Sequence, residues 1–446
     1  LKRAAAFLGF AFLLLFPAFW NGFPLVYSDT GTYIASGMQS NIPQDRPLVY
    51  GFFIRHSSLL ESLWLSIFAQ AIMAAALIYV FAKLFLAETL KPRSFFLVGL
   101  LMCFFSTLPW YSSFLMADAF TGFSYLLLLF LFFGLNQRPW RWVFLILLYW
   151  FITATHLSHS NGHLLVWLVV LISSSFKWVR NSIPIKRTIW VGAIILCNYL
   201  FLPSFHYLAG NDFTYPKRTY YFISARFIEN GSVKAVLDKN CANANWQMCQ
   251  YKDSLPSCAS DFLWTDNSPL IKLKGWENEL TELKEINQAV LSDPNLLVKN
   301  LNYLAKVSWK QTFQTAVAEE YLPYDSLSSP GYVIGYYFKK EFSSYLNSKQ
   351  QQNQALKINH FLSNWMHYSL LISLAILITS LIIGFGSNRQ KLMMLIVLIG
   401  YIGNVIAVSV ASEGARYNSR YYWLIILCAM LILFKYFKEK WRFKGS

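Results

Sequence analysis

Charge is what this sequence has least of. Only 13% of its 446 residues are Asp, Glu, Lys or Arg, against about a quarter in soluble domains. The long apolar runs carry few charges, which weakens the case for an ion-coupled transporter with a mid-membrane site. A Gly-rich phosphate loop with its Walker lysine is missing, and so is the Gly-x-Ser-x-Gly elbow. Nucleotide-driven transport and serine hydrolysis lose support accordingly. Cysteines number six, with no Cys-x-x-Cys pair. Cys103, Cys197 and Cys428 sit in apolar stretches as packing residues. Cys241, Cys249 and Cys258 share one polar segment, where an oxidising compartment permits a single disulfide of open pairing.

Hydrophobic residues, by contrast, make up 56% of the chain and aromatic residues 18%. Apolar runs near the roughly 20 residues that cross a bilayer recur along its length. We expect an all-α polytopic membrane protein with about ten spans, near 4–25, 61–82, 95–110, 119–135, 142–156, 163–177, 188–205, 366–386, 392–411 and 421–437. The first run has a basic start like a signal peptide. It continues through Phe19, Trp20 and Phe23 without a small-residue cleavage site, and so reads as a retained span. The net charge of +16 is unevenly placed. On the N-terminal side lie 18 of the 38 basic residues, with four (Arg46, Arg55, Arg416, Arg420) in the opposite short loops. Under the positive-inside rule both termini are cytoplasmic. The surplus is then a topology signal, and no nucleic-acid partner is expected. All acidic residues except Glu88 and Glu439, and all seven histidines, fall on the far side.

Three parts follow: a module of seven spans (1–205), an outer insert (206–365) and three C-terminal spans with a basic tail (366–446). The insert has 16 basic and 15 acidic residues and reads as a folded, mainly helical unit. Ser268-Pro269 and Ser292-Asp293-Pro294 are helix starts. Apolar residues recur at helical spacing over 277–290 and 296–317. The first outer loop, 26–60, holds a short helix reaching Met38, capped by Ser28 or Asp29, and an interfacial amphipathic helix over 48–60.

The chemistry-bearing residues gather on this face. Asp29 lies at the exit of the first span, where a carboxylate can accept a proton; as an alternative it caps a helix. Asp118, at the start of the fourth span, poses the same choice. His156, His159 and His163 are spaced to share one helical face, a pattern that can bind a divalent metal or face a phosphate, although Asn161-Gly162 is expected to break that helix. Arg416 and Arg420 stand one turn apart. Their planar donor forks suit phosphate oxygens, and their alternative is snorkelling at the interface.

This arrangement resembles the GT-C glycosyltransferases, which include protein O-mannosyltransferases and the bacterial lipid A aminoarabinose transferase. The resemblance rests on Ser28-Asp29-Thr30 through Tyr33, Asp45-Arg46-Pro47-Leu48-Val49-Tyr50, Met116-Ala117-Asp118, and the Arg416-Tyr417 and Arg420-Tyr421 pairs. The family's acidic pair in the first loop is here Asp29 followed by Thr30. The resemblance implies a polyprenyl-phosphate-linked sugar as donor and an acceptor that is a protein, lipid A or a glycan. It also implies Asp29 as inverting general base with Asp118 as a second catalytic acid residue. Arg46, Arg416, Arg420, His156 and His159 would hold the leaving phosphate, with no cofactor beyond a divalent metal, in the bacterial inner membrane. A flippase for a lipid-linked or amphipathic substrate, and a scaffold recruiting a periplasmic partner, are the readings from other classes.

Overall fold

The computed structural model describes residues 2–134, 138–317 and 321–444. Leu1, the last residue of the 119–135 stretch, and Glu319 and Glu320 of the insert lie outside the described residues. Helix accounts for 74% of the structure. Among the described residues there is no strand, only an isolated bridge between Leu25 and Phe114.

Each expected apolar stretch is mainly helix among the described residues, but the helices differ in length, and the 95–110 stretch breaks at Ser106 and Thr107 between Pro92–Phe105 and Leu108–Ser112. Five are long and apolar enough to cross a membrane: Leu63–Leu86, Ile185–Leu208, Phe361–Ile382, Asn388–Ser409 and Arg416–Lys440. Pro92–Phe105, Ala117–Phe133, Pro139–Thr153 and Leu157–Ser173 are apolar but shorter. The stretch read as one run over 4–25 is two helices, Lys2–Leu13 and Phe16–Asn21, the second opening with Pro17 in its first turn. Proline has no N–H to continue the ladder of the preceding helix. Side chains such as Ile172, Trp190, Leu200 and Ile382 project outward and stay exposed. A continuous buried core runs from Phe10 through Phe123 to Trp423 inside the bundle. Apolar inside and apolar outside is the pattern of a helical membrane protein.

Asn161-Gly162 does not break its helix. Leu157–Ser173 runs straight through both residues. The glycine serves packing instead: a Cβ on Gly162 would stand 2.2 Å from the Tyr125 hydroxyl, and a Cβ on Gly403 3.2 Å from the Gly162 carbonyl oxygen. Small residues at such a crossing let two helices approach closely.

The insert has a core of its own, with Tyr221, Val233, Phe262, Leu283 and Ile286 fully buried. Its disulfide joins Cys241 to Cys249, and Cys258 is a free thiol. The expected helix starts are present: Ser268 Oγ accepts from the Ile271 N–H, and Asp293 accepts from Asn295 and Leu296. Two helices are shorter than their periodicity suggests. The 277–290 run is split between a single turn, Gly275–Asn278, and a helix from Glu282, because Leu280 N–H donates to the Tyr221 hydroxyl and Glu279 turns to a φ of 45°. The 296–317 run stops at Thr312, where the Asn418 side chain takes the carbonyls of Gln311 and Gln314.

One knot on the insert side of the bundle joins distant parts of the chain. Leu25 pairs with 113–115, its N–H donating to the Ser113 carbonyl and its carbonyl accepting from Leu115, both at 2.9 Å. On the other flank the Gln350 amide works like a strand: Val26 N–H donates to it at 3.0 Å, and its NH2 donates to the Val26 carbonyl at 2.7 Å. These ties set the starts of the two segments that carry Asp29 and Asp118.

Candidate acid–arginine site

Asp29 sits in the first turn of the Ser28–Gln39 helix. It is not the cap. Thr30 closes the helix start, its Oγ1 accepting from Tyr27 N–H at 2.9 Å and donating to the Leu115 carbonyl at 3.0 Å. The Asp29 carboxylate is thereby left for tertiary work and meets Arg46 Nη1 at 2.8 Å. Arg46 turns its remaining edge to Asp45, through Nη2 at 2.5 Å and Nε at 3.0 Å. The second carboxylate of this loop is therefore Asp45, reached through a shared guanidinium. Burial opposes the Arg46 charge, but Asp29 and Asp45 outweigh it and raise its pKa well above the ordinary value. Tyr33 lies one turn along, with Arg46 over its ring at 5.3 Å. Burial pushes its phenol up; Arg46 opposes that and Asp29 adds to it.

The Ser28–Gln39 helix is held by its neighbour, Val49–Ser57. A Cβ on Gly37 would lie 2.1 Å from the Gly51 carbonyl oxygen, so the two backbones touch. Arg55 then bonds the far end of the helix through Ser40 Oγ at 2.9 Å. The insert closes over the same helix, because Gly31 leaves no room for a Cβ against Ser329.

Asp118 is not a cap either. Its segment, Ala117–Phe120, is a single 3₁₀ turn, and its carboxylate is 2% exposed. Arg420 Nη1 meets one oxygen at 2.5 Å, and Arg416 Nε stands 3.8 Å from the other. Both arginines belong to the first two turns of Arg416–Lys444. That turn is fixed from behind, with the Tyr111 hydroxyl donating to the Arg416 carbonyl at 2.8 Å and Thr107 to that of Ser419 at 2.5 Å. The snorkelling alternative does not hold: Arg420 is fully buried and Arg416 is 8% exposed.

Two guanidinium groups thus face one buried carboxylate, leaving one positive charge over. Arg420 also donates to Ser158 Oγ at 2.9 Å and to Asn404 Oδ1 at 3.3 Å. Arg416 lies over the Tyr27 ring at 4.2 Å and donates to the Tyr417 hydroxyl at 2.9 Å. Among the described residues, Arg416 Nη1 and Arg420 Nε are buried without a hydrogen-bond partner. A buried donor without an acceptor costs about 1–3 kcal/mol, more when charged. Such donors gathered in one place suit an anion.

The histidines divide. His156 Nδ1 bonds Ser158 Oγ at 2.9 Å, one step from Arg420, and its ring lies 5.3 Å from that of His159. His159 Nε2 bonds Thr121 at 2.9 Å, three residues from Asp118. His163 leaves the cluster: Ser124 and Tyr149 hold its two ring nitrogens in the core. Among the described residues no group of three or more His, Cys, Asp or Glu side chains is arranged to hold a metal ion.

No family model, no curated protein and no solved structure matches this chain.

Sequence reasoning quoted Asp45 in a motif without giving it a role, and missed three participants: Ser158, Asn404 and Tyr27. Asn404 had a signal, being a lone amide inside an apolar run. Ser158 and Tyr27 had none, since serine and tyrosine are ordinary at helix ends. Beside the cluster, an apolar groove of about 440 Å³ is lined by Phe52, Phe53, His56, Ser57, Phe151 and Phe205. It holds none of the charged residues. Phe53 nonetheless touches Phe120 at 4.9 Å between ring centres, two residues from Asp118.

Proposed function

We propose that this chain is a membrane glycosyltransferase of GT-C architecture with about ten spans. It moves a sugar from a polyprenyl-phosphate donor to an acceptor on the periplasmic face of a bacterial inner membrane. The observation that carries this reading is the buried pair Arg416 and Arg420, which has donors to spare, with Arg416 lying over the ring of Tyr27, two residues before the 26% exposed Asp29. Outside the cytoplasm no nucleotide sugars are at hand, so an activated sugar arrives on a lipid. The disulfide in the insert supports an oxidising side for this face. The groove beside Phe53 has the apolar lining that an isoprenoid chain needs.

In this mechanism the acceptor hydroxyl gives its proton to Asp29 as its oxygen attacks the anomeric carbon. The bond from that carbon to the phosphate oxygen breaks, and the electron pair leaves with the phosphate. Attack opposite the leaving group inverts the configuration. Arg416 and Arg420 balance the charge that develops on the phosphate, a preorganised electrostatic contribution. Asp118 holds the two arginines in place, and Arg46, already occupied by Asp29 and Asp45, orients the base. His156 and His159 border the phosphate position.

Asp29→Asn abolishes sugar transfer by purified protein while membrane expression is retained; transfer that survives the change removes Asp29 as the base. Arg416→Ala raises the KM for the polyprenyl-phosphate donor, and an unchanged KM removes the phosphate clamp. Movement of the donor across proteoliposomes with no new glycosidic bond would replace this reading with a flippase.

A further inference from the structure

The insert is not only a roof. Its Pro294–Thr312 helix runs from the insert core down to the bundle. Near its end the Tyr401 hydroxyl donates to the Thr312 carbonyl at 2.6 Å, and the Gln311 amide donates to the Gly414 carbonyl at 2.6 Å. Tyr401 belongs to Asn388–Ser409, one of the five long apolar helices, and Ser409 is its insert-side end. At about 1.5 Å per residue, Tyr401 lies roughly 12 Å inside that end. The last turn of the insert helix is therefore carried below the rim of the bundle.

What this helix leaves uncovered is patterned. Val307 and Gln311 are buried against the bundle. Val298, Leu301, Trp309 and Phe313 are all more than half exposed. At about 100° per residue, these four and Ala305 fall on one stripe opposite the buried face. Lys299, Lys306 and Lys310 line one edge of that stripe, and no acidic residue falls within the helix. Trp309 and Phe313 meet at the deep end, 5.1 Å apart. An apolar stripe with aromatic residues at its deep end and lysines along its edge is the pattern of a helix in a lipid headgroup region.

We propose that the exposed face of Pro294–Thr312, continued by Phe313, is bedded in the lipid surface on the insert side. The insert then grips the bilayer directly, and Lys299 and Lys306 reach anionic headgroups, while Lys310 is held by Glu413 at 2.6 Å. The depth of Thr312 selects lipid over a soluble partner as the occupant, because a face below the rim is closed to one. This assignment is independent of the glycosyltransferase reading.

The test uses the full chain in vesicles of phosphatidylethanolamine and phosphatidylglycerol. A spin-labelled side chain is introduced genetically at position 301, 306, 309 or 313, one at a time, with position 253 of the insert surface as reference. Collision rates are read with oxygen, which concentrates in the bilayer, and with a water-soluble nickel chelate. The oxygen-to-nickel ratio at 301, 309 and 313 is expected to be several-fold above that at 253, and the ratio at 306 to fall between. Equal ratios at 309, 313 and 253 would overturn the proposal by placing the face in water. Protection of 309 and 313 from both reagents would overturn it in favour of a protein partner. Because the labelled positions are exposed, four independent sites keep the outcome readable should one label disturb folding.

Discussion

Asp118 bears more of this structure than its place in a single short turn suggests. Its carboxylate is the counter-charge for both Arg416 and Arg420 in a buried setting. Removing one partner of such a group leaves buried charge uncompensated, at about 3–5 kcal/mol. Asp118→Ala should therefore lower the thermal unfolding midpoint of the purified protein. Adding Arg420→Met should recover part of the loss, whereas a double variant no more stable than Asp118→Ala would show that the pair is not electrostatically linked. Tyr33 gives a pH signature. Burial raises its phenol above the ordinary value of about 10, so the folded state holds that proton more tightly than the unfolded one. Stability from this source is complete below about pH 10 and falls as pH rises beyond it. Tyr33→Phe should flatten the alkaline fall of the unfolding midpoint, and an unchanged slope would exclude Tyr33 as its source. At this scale the sequence was informative where a titratable side chain stood alone at the end of an apolar run. Asp29, Asp118, Arg416 and Arg420 were all visible on that ground. Which carboxylate takes which arginine was not, because the register between residues 118 and 420 is set by packing across the bundle. His163 was grouped with His156 and His159 by spacing, yet its partners Ser124 and Tyr149 lie on other helices and draw it into the core.

At the level of elements, the position of Asp29 depends on a contact between two helix backbones. Gly37 and Gly51 allow Ser28–Gln39 and Val49–Ser57 to touch, and a larger side chain has nowhere to go. Forcing extra methyl groups into such a contact costs about 1–3 kcal/mol. Gly37→Val should lower the unfolding midpoint and, by tilting the helix that carries Asp29, reduce kcat for the proposed transfer. A Gly37→Val protein with unchanged midpoint and unchanged kcat would mean that the contact does not set the geometry. Both helices were expected from the first outer loop, the one from a cap at Ser28 or Asp29 and the other from aromatic residues mixed with Arg55 and His56. Their contact was not, because a glycine reads equally as a turn, a cap or a close approach. Asn161-Gly162 shows the same ambiguity with the same outcome: a pair that reads as a break is a crossing point. Helix lengths were the weakest expectation. Hydropathy marks where apolar residues are, while the ends at Glu282 and Thr312 are chosen by hydrogen bonds that Tyr221 accepts and Asn418 donates, which no local pattern announces.

For the molecule as a whole, composition together with the placement of apolar runs indicated helices in a membrane with a folded polar insert. The topology proposed from the basic residues has a direct check. Asp253→Cys, on the exposed surface of the insert, should react with a membrane-impermeant maleimide in spheroplasts and be protected in sealed inverted vesicles. The opposite pattern would reverse the orientation. The order in which the site's parts are synthesised adds a further consequence. Asp118 leaves the ribosome 298 residues before Arg416 and 302 before Arg420. For most of biosynthesis this aspartate has neither guanidinium beside it, and the early helices cannot close around a bare anion without a large desolvation cost. The nascent protein must therefore keep that region wet or loosely assembled until the final helix arrives, and truncated chains lacking it should be prime substrates for membrane quality control.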